Sequence, residues 1–151
     1  MRLSIAAIGK AGKTQEHTLV QRYFDRLPHK GGIIERDSSK TSGLAGKRDE
    51  GKRLLSALPS GCKLVVLDES GANLSSPQLA ELISQWRDTG TRDAVFAIGG
   101  ANGHSDSVLA AADKLLAFGA QTWPHMLIRA MLAEQLYRAE MILARHPYHH
   151  A

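Results

Sequence analysis

The chain has little cysteine and few aromatic side chains, and the cysteine shortage limits its chemistry. Cys62 is the only cysteine among 151 residues, so neither an intrachain disulfide nor a cysteine-based zinc site can form. We expect Cys62 to act as a small hydrophobic side chain at the start of a strand rather than as a nucleophile. The seven histidines include no HExxH or similar ligand spacing, and we predict that the protein binds no metal.

Long hydrophobic runs are also missing from the chain. No apolar stretch approaches the length of a membrane span, and residues 1–8 run into a lysine–glycine turn too soon to be a signal peptide. We therefore expect a cytoplasmic protein. The chain has no internal repeat and no low-complexity tract, and its length fits one domain over residues 1–151.

The net charge of +4 is unevenly distributed along the chain. Residues 1–60 contain twelve Lys or Arg and six Asp or Glu, whereas residues 61–151 contain seven and nine. Part of this excess lies in a polar, glycine-rich segment that includes Lys40, Lys47, Arg48, Lys52 and Arg53. These cations form either a solvated surface or a set of contacts to nucleic-acid phosphates.

Segments with strand and helix patterns alternate along the chain. The predicted strands are residues 2–8, 32–36, 63–67, 93–98 and 114–118. The predicted helices are residues 15–27, 47–57, 75–87, 105–113 and 125–144, and residues 37–46 are predicted to be a loop. This alternation predicts an α/β domain with a mainly parallel sheet.

Three of the predicted strands end in residues that suit a binding site. These ends are Leu67, Ile98 with Gly99, and Phe118 with Gly119. Ligands of parallel α/β sheets bind beyond the carboxyl ends of the strands, and glycine lets the backbone approach a ligand closely. We predict one site at these ends, although glycines at strand ends also serve as ordinary turns.

The last predicted helix is apolar around much of its circumference, which requires cover on more than one side. Its main stripe is Ile128, Leu132, Leu136, Ala139 and Leu143, extended by Leu127, Met131 and Met141. We predict a homodimer in which part of this helix faces the partner. Complete burial within one protomer is the alternative.

A phosphate-binding loop provides a different functional hypothesis. The first strand leads into AIGKAGKT at residues 7–14, and a second strand ends in LVVLD at residues 64–68, as a magnesium-binding strand would. Together they suggest a small nucleotide triphosphatase. Against this, Ala7 stands where the first glycine of the loop belongs, so Gly12 and Thr14 could simply start the next helix. A non-catalytic RNA-binding module is a third possibility.

Several ordered motifs resemble those of the SPOUT superfamily of methyltransferases, and within it the small enzymes that methylate N3 of a pseudouridine in 23S rRNA. The motifs are residues 67–71 (LDESG), 76–80 (SPQLA), 98–103 (IGGANG), 122–125 (TWPH), Arg129, 134–135 (EQ), 137–139 (YRA) and 147–149 (PYH). The resemblance covers the whole chain in length and element order. It is specific from Lys63 onward and loose between Lys10 and Leu58.

The resemblance implies a SPOUT-type parallel-sheet domain with helices on both faces and a C-terminal trefoil knot. It also implies a homodimer that uses S-adenosyl-L-methionine and acts on 23S rRNA in an assembled ribosome. The cofactor contacts carried over from the family are Leu67, Gly99, Phe118, Gly119, Ala120, Gln121, Thr122 and Trp123. They fall at the three strand ends that the residue pattern had already indicated.

The same resemblance implies catalytic roles for Arg138, Tyr148 and His149, acting on the cofactor of the partner protomer. Arg138 would stabilise charge, Tyr148 would orient or stack on the base, and His149 with His150 would contact phosphate or transfer a proton. Two alternatives are that Arg138 only pairs with Glu134, four residues away on the same helix, and that the tail is frayed.

The chain departs from the family pattern at His104, where an apolar residue is usual. It also departs at His150, where a titratable side chain replaces the usual Lys or Arg. Residues 38–46 are unusually rich in glycine and serine, and no role is assigned to them.

Overall fold

The computed structural model describes residues 1–29 and 31–150, so Lys30 and Ala151 of the predicted domain lie outside the described residues. The strands are β1 Arg2–Ile8, β2 Ile33–Arg36, β3 Lys63–Ala72, β4 Asp93–Ile98 and β5 Lys114–Leu116. The helices are α1 Gln15–Phe24, α2 Gly43–Ser56, α3 Ser76–Asp88, α4 Asp106–Ala111 and α5 His125–Leu143. The strands form one sheet in the order β2-β1-β4-β3-β5, and every neighbouring pair is parallel.

The alternation of side chains along β1 explains why helices cover both faces of the sheet. Leu3, Ile5 and Ala7 belong to one buried cluster, which includes residues of α1, α3 and α5. Ala6 and Ile8 belong to a second cluster, which includes residues of α2 and α4. Successive side chains of a strand point to opposite faces, so a strand buried on both sides is apolar throughout. The predicted α/β class with helices on both faces is confirmed.

The prediction for residues 37–46 is wrong in part, because α2 begins at Gly43 rather than at Lys47. Ser42 has the extended backbone of a helix N-cap. Gly46 is buried, and a Cβ atom at this position would lie 1.9 Å from the Thr41 carbonyl oxygen. This glycine therefore permits close packing of a helix, whereas a glycine in so polar a segment predicts a loop.

Two strand boundaries also differ from the prediction. Strand β3 continues to Ala72 instead of ending at Leu67, because pairing with β5 resumes after an irregularity in register. At Gly71 a Cβ atom would lie 2.5 Å from the Leu116 backbone nitrogen, so the absence of a side chain permits this close approach. Strand β5 ends at Leu116, which leaves Phe118 in the following segment.

Arg129 of α5 connects this helix to the carboxyl end of β1. The residue is 1% exposed, and its guanidinium donates hydrogen bonds to the carbonyl oxygens of Ile8 (3.3 Å) and Gly9 (2.9 Å). Glu35 of β2 lies 3.6 Å away as its counter-charge. A buried cation is tolerated only when it is paired and hydrogen-bonded. Arg129 thereby fixes where α5 begins relative to the sheet.

Replacing Arg129 by methionine tests this connection. We expect Arg129→Met to lower the free energy of unfolding by about 3 kcal/mol, because the carbonyl oxygens of Ile8 and Gly9 lose their donor and the Glu35 carboxylate loses its counter-charge. Chemical denaturation measures the change. Arg92→Met, at an exposed arginine, is the matched control and should alter stability by no more than about 0.5 kcal/mol. Equal stability of the two variants would contradict this role of Arg129.

Candidate functional site

A cavity of about 580 Å³ lies at the carboxyl ends of β3, β4 and β5. Three chain segments form most of its wall: the residues after β3, the turn after β4, and the stretch from β5 to α5. All of the predicted cofactor-binding residues line it, namely Leu67, Gly99, Phe118, Gly119, Ala120, Gln121, Thr122 and Trp123. The fold therefore brings this predicted set together in one place.

The wall after β4 is a tight glycine turn, Gly99 to Gly103. The Gly103 N–H donates to the Gly100 carbonyl oxygen at 3.0 Å, and Gly103 has a positive φ of 77° that favours glycine. A Cβ atom at Gly99 would lie 3.1 Å from the Gly103 carbonyl carbon. The turn is therefore closed on itself and presents backbone to the cavity.

The wall after β5 is also largely backbone. The Gly119 N–H donates to the Asn73 side-chain oxygen at 2.7 Å, which ties this segment to the end of β3. The Trp123 indole donates to the Phe118 carbonyl oxygen at 2.8 Å, so the segment folds back on itself before α5 begins. The Trp123 side chain remains partly exposed at 37%. These bonds hold the segment beside the turn after β4.

Acidic side chains outnumber basic ones around the cavity. Asp68, Glu69 and Asp106 line it, and Lys47 is the single Lys or Arg among residues 1–29 and 31–150 that does so. Hydrogen bonds from Ser70 lower the pKa of Asp68, which stays a carboxylate at neutral pH. Such a lining favours a ligand that carries positive charge.

His104 lies at the base of the cavity, and burial lowers the pKa of its imidazole. In the sequence this position stands out only as a departure from the family pattern. Lys47, Asp106 and Ile128 also line the cavity, and the sequence alone does not assign them to the site. For Ile128 the available signal is its position in the first turn of the predicted last helix, shortly after Trp123.

The predicted catalytic side chains lie in a different part of the protomer. Arg138 donates to Glu134 from Nε at 2.9 Å, and Tyr148 donates its hydroxyl to the same carboxylate oxygen at 3.1 Å. Burial raises the pKa of Tyr148. The Tyr148 ring packs edge-on against Tyr137 with centroids 4.8 Å apart, so the tail is held rather than frayed there.

None of Arg138, Tyr148 and His149 lines the cavity of the same protomer. Ile128, which does, precedes Arg138 by ten residues of one helix, or about 15 Å along the axis. The ion pair between Arg138 and Glu134, which the alternative interpretation requires, is present. The catalytic role of these three side chains stays a prediction, because none of them lines the cavity of its own protomer.

The loop after β1 is not arranged to hold a phosphate. The Ala11 N–H donates to the Glu35 carboxylate at 2.7 Å, so an acidic side chain occupies the donor that a phosphate would need. Thr14 is the N-cap of α1, and its hydroxyl accepts from the His17 N–H at 3.2 Å. The turn therefore starts a helix, as the alternative to the phosphate-binding interpretation predicted.

Residues 1–29 and 31–150 contain no group of three or more His, Cys, Asp or Glu arranged to hold a metal ion. In the same part of the chain, none of the helices combines the length and apolar character needed to cross a membrane. Cys62 is half-buried at the edge of the second hydrophobic cluster, where burial raises the pKa of its thiol.

Comparison with known proteins decides the family. A family model described as predicted SPOUT methyltransferase matches residues 1–149. The chain belongs to the SPOUT methyltransferases. Two similar proteins are both named ribosomal RNA large subunit methyltransferase H. The one from Paramagnetospirillum magneticum is 49% identical, with 99% of each chain covered, and the one from Hyphomonas neptunium is 47% identical, with 100% of each covered.

A solved structure also resembles the chain, though weakly. It is the SpoU methyltransferase AviRb from Streptomyces viridochromogenes in complex with AdoMet, with a TM-score of 0.48 and 11% identity over 93% of this chain and 58% of that one. The family match confirms the predicted SPOUT membership and methyltransferase class, with S-adenosylmethionine as the methyl donor of that class. It does not support the nucleotide triphosphatase.

Gly99→Val tests the position of the cofactor. A side chain at Gly99 would press on Gly103 and on His104, whose Cδ2 lies 3.3 Å from the Cβ position, so the turn must shift. We expect at least about a hundredfold loss of S-adenosylmethionine affinity in calorimetry. Gly32→Val is the control, because a Cβ atom there meets open space. Wild-type affinity in Gly99→Val would exclude this cavity as the site.

Proposed function

We propose that the protein transfers the methyl group of S-adenosylmethionine to N3 of a pseudouridine in 23S rRNA on the assembled ribosome. The observation that carries the proposal is the convergence of all eight predicted cofactor contacts on one cavity. The names of the full-length relatives support the choice of large-subunit rRNA as substrate. Such a substrate places the protein in the cytoplasm, where ribosomes are.

The cavity suits the cofactor in its volume, in its walls of backbone and in the charge of its lining. A volume of about 580 Å³ is in the range that holds a ligand of this size. The glycine turn after β4 and the segment after β5 would grip the cofactor largely by backbone groups. The carboxylates of Asp68, Glu69 and Asp106 favour the positive charge of a sulfonium. A trefoil knot that brings the two backbone segments together is part of this proposal.

The reaction places few demands on side-chain chemistry. When bound, the cofactor supplies a methyl group already activated by the positive sulfur. The protein must hold the acceptor nitrogen in line with that methyl group and favour loss of the N3 proton. Arg138 would stabilise the resulting imide anion, and Tyr148 would orient the base. His149 would receive the proton or contact phosphate, with His150 beside it. The products are N3-methylpseudouridine, S-adenosylhomocysteine and a proton.

A second copy of the chain would bring these side chains to the cofactor. An apolar groove of about 500 Å³ lies between α1, α3 and α5, and its lining includes Glu134, which binds Arg138 and Tyr148. Leu127 remains 39% exposed beside it. Since Phe118 lines both the groove and the cofactor cavity, a partner seated on the groove would reach the cavity's edge. We therefore propose a homodimer with two composite sites.

The basic segment of the first half would contact rRNA phosphates near the site. Lys47 lines the cavity, and Arg48 and Lys52 follow on the same helix. Arg53 is less available, because it binds Asp49 and the carbonyl oxygens of Asp37 and Ser38. Clustered cations of this kind attract a phosphate backbone without reading sequence.

Methyl incorporation tests the proposed activity. We expect the protein to transfer labelled methyl groups to ribosomes that lack the modification, with little transfer to free 23S rRNA. The labelled nucleoside should be N3-methylpseudouridine by chromatography and mass spectrometry. Transfer to neither substrate would refute the methyltransferase proposal. Salt-sensitive RNA binding without cofactor affinity would instead support a non-catalytic RNA-binding module.

Mixing two inactive variants tests whether the site is shared between protomers. Gly99→Val should lack the cofactor, and Arg138→Ala should lack the charge at the acceptor. After subunit exchange, half of the dimers are mixed and each has one intact composite site, so about a quarter of wild-type activity should return. If both halves of a site belonged to one protomer, the mixture would remain inactive. Each variant alone is the control.

A further inference from the structure

Glu50 of α2 is a buried carboxylate directly behind the glycine turn. It is 4% exposed, and its neighbours include the apolar side chains of Ile8, Leu54 and Val108. At Gly100 a Cβ atom would lie 2.9 Å from Glu50 Oε2, so the turn rests on the carboxylate with no room for a side chain between them. A carboxylate at such a position is costly unless both oxygens are bonded.

Only one of the two Glu50 oxygens has a partner among the described residues. Oε1 accepts a hydrogen bond from the Ser39 N–H at 2.9 Å, which ties the carboxylate to the segment after β2. Oε2 is buried without a bond. A buried polar atom of a folded protein nearly always has a partner, either in the protein or as an ordered water.

His104, which lines the same small cavity as Glu50, also has a buried polar atom that lacks a hydrogen bond within the described part of the chain. Its Nε2 is buried and has no hydrogen-bond partner among the described residues. Glu50 and His104 both line a cavity of about 10 Å³, together with Ser105. That volume is close to what one water molecule requires, and a buried water needs two to four polar partners. The carboxylate, the imidazole and the Ser105 hydroxyl provide them.

We propose that Glu50 and His104 are positioning residues of the cofactor site, joined by one buried water behind the turn from Gly99 to Gly103. The inference rests on the proposed cofactor site. The neutral imidazole donates from Nε2–H to the water, and the water donates to Glu50 Oε2. Glu50 then holds the turn after β4 and the segment after β2 in fixed relation, because its other oxygen binds Ser39.

This arrangement explains why a polar side chain can stand at position 104. With an apolar residue at position 104, the water bound to Glu50 Oε2 would lose the imidazole as its hydrogen-bond donor. With an apolar residue at position 50, His104 Nε2 would lose the acceptor that it reaches through the water. The two residues should therefore contribute jointly to the shape of the cofactor turn. Neither needs to touch the reacting atoms.

A double-mutant cycle on S-adenosylmethionine affinity tests the coupling. We expect Glu50→Leu and His104→Leu each to weaken binding about tenfold, and the double variant to be weakened about tenfold rather than a hundredfold. In kinetics the same variants should raise KM for the cofactor and leave kcat within a factor of about two, because saturating cofactor restores the turn. Glu50→Gln should rescue most of the affinity, since it keeps the bond from Ser39. Multiplicative losses, or no loss in either single variant, would overturn the proposal.

The matched control is Asp49→Asn, which alters the neighbouring acid of the same helix, a surface residue paired with Arg53. It should bind the cofactor as the wild type does. If Glu50→Leu does not fold, a high-resolution crystal structure of the wild type decides the matter. Density for a water within hydrogen-bond distance of Glu50 Oε2 and His104 Nε2 supports the proposal, and an empty cavity or a direct contact between the two side chains overturns it.

The two proposals fail in different ways. A wild-type protein that binds no S-adenosylmethionine refutes the cofactor site itself. Wild-type binding that is lost in Gly99→Val but unchanged in the Glu50 and His104 variants leaves the cofactor site standing and refutes only the buried link.

Discussion

The parallel pairing of β4 with β1 on one side and β3 on the other determines the position of every part of the site. Because the strands run in one direction, the chain leaves β3, β4 and β5 at the same edge of the sheet. Three chain segments begin at that edge, and the cavity lies between them. This edge is also where a parallel sheet leaves backbone groups free to bind a ligand.

Buried polar residues hold that edge in place. Arg129 ties the start of α5 to the end of β1, and Glu50 binds the segment after β2 while its other carboxylate oxygen lies against Gly100 of the turn after β4. Both side chains are almost fully buried. Such groups contribute little net stability compared with apolar replacements, but removing one partner is costly. Their value to this protein would be geometric, since a site built from backbone needs its loops fixed more than its side chains.

Much of this architecture was predictable from local patterns. The apolar run of β4 predicts that strand directly, because burial leaves a signal in neighbouring residues, and the helix predicted over residues 75–87 is found as α3 with Ser75 as its N-cap. The start of α2 was not predictable, because Gly46 reads as a loop residue until its approach to Thr41 is known. The extension of β3 to Ala72 depends on β5, which lies more than forty residues away. The strand ends indicated the cavity, but no local pattern could reveal that Glu50 and His104 share a space behind it.

A crystal structure of the protein with S-adenosylmethionine bound is the most direct test of the central claim, which is that the three strand ends form the cofactor site. The account predicts density for the cofactor between the glycine turn after β4 and the segment from Phe118 to Trp123. Density in the apolar groove between α1, α3 and α5, with the cavity empty, would contradict it.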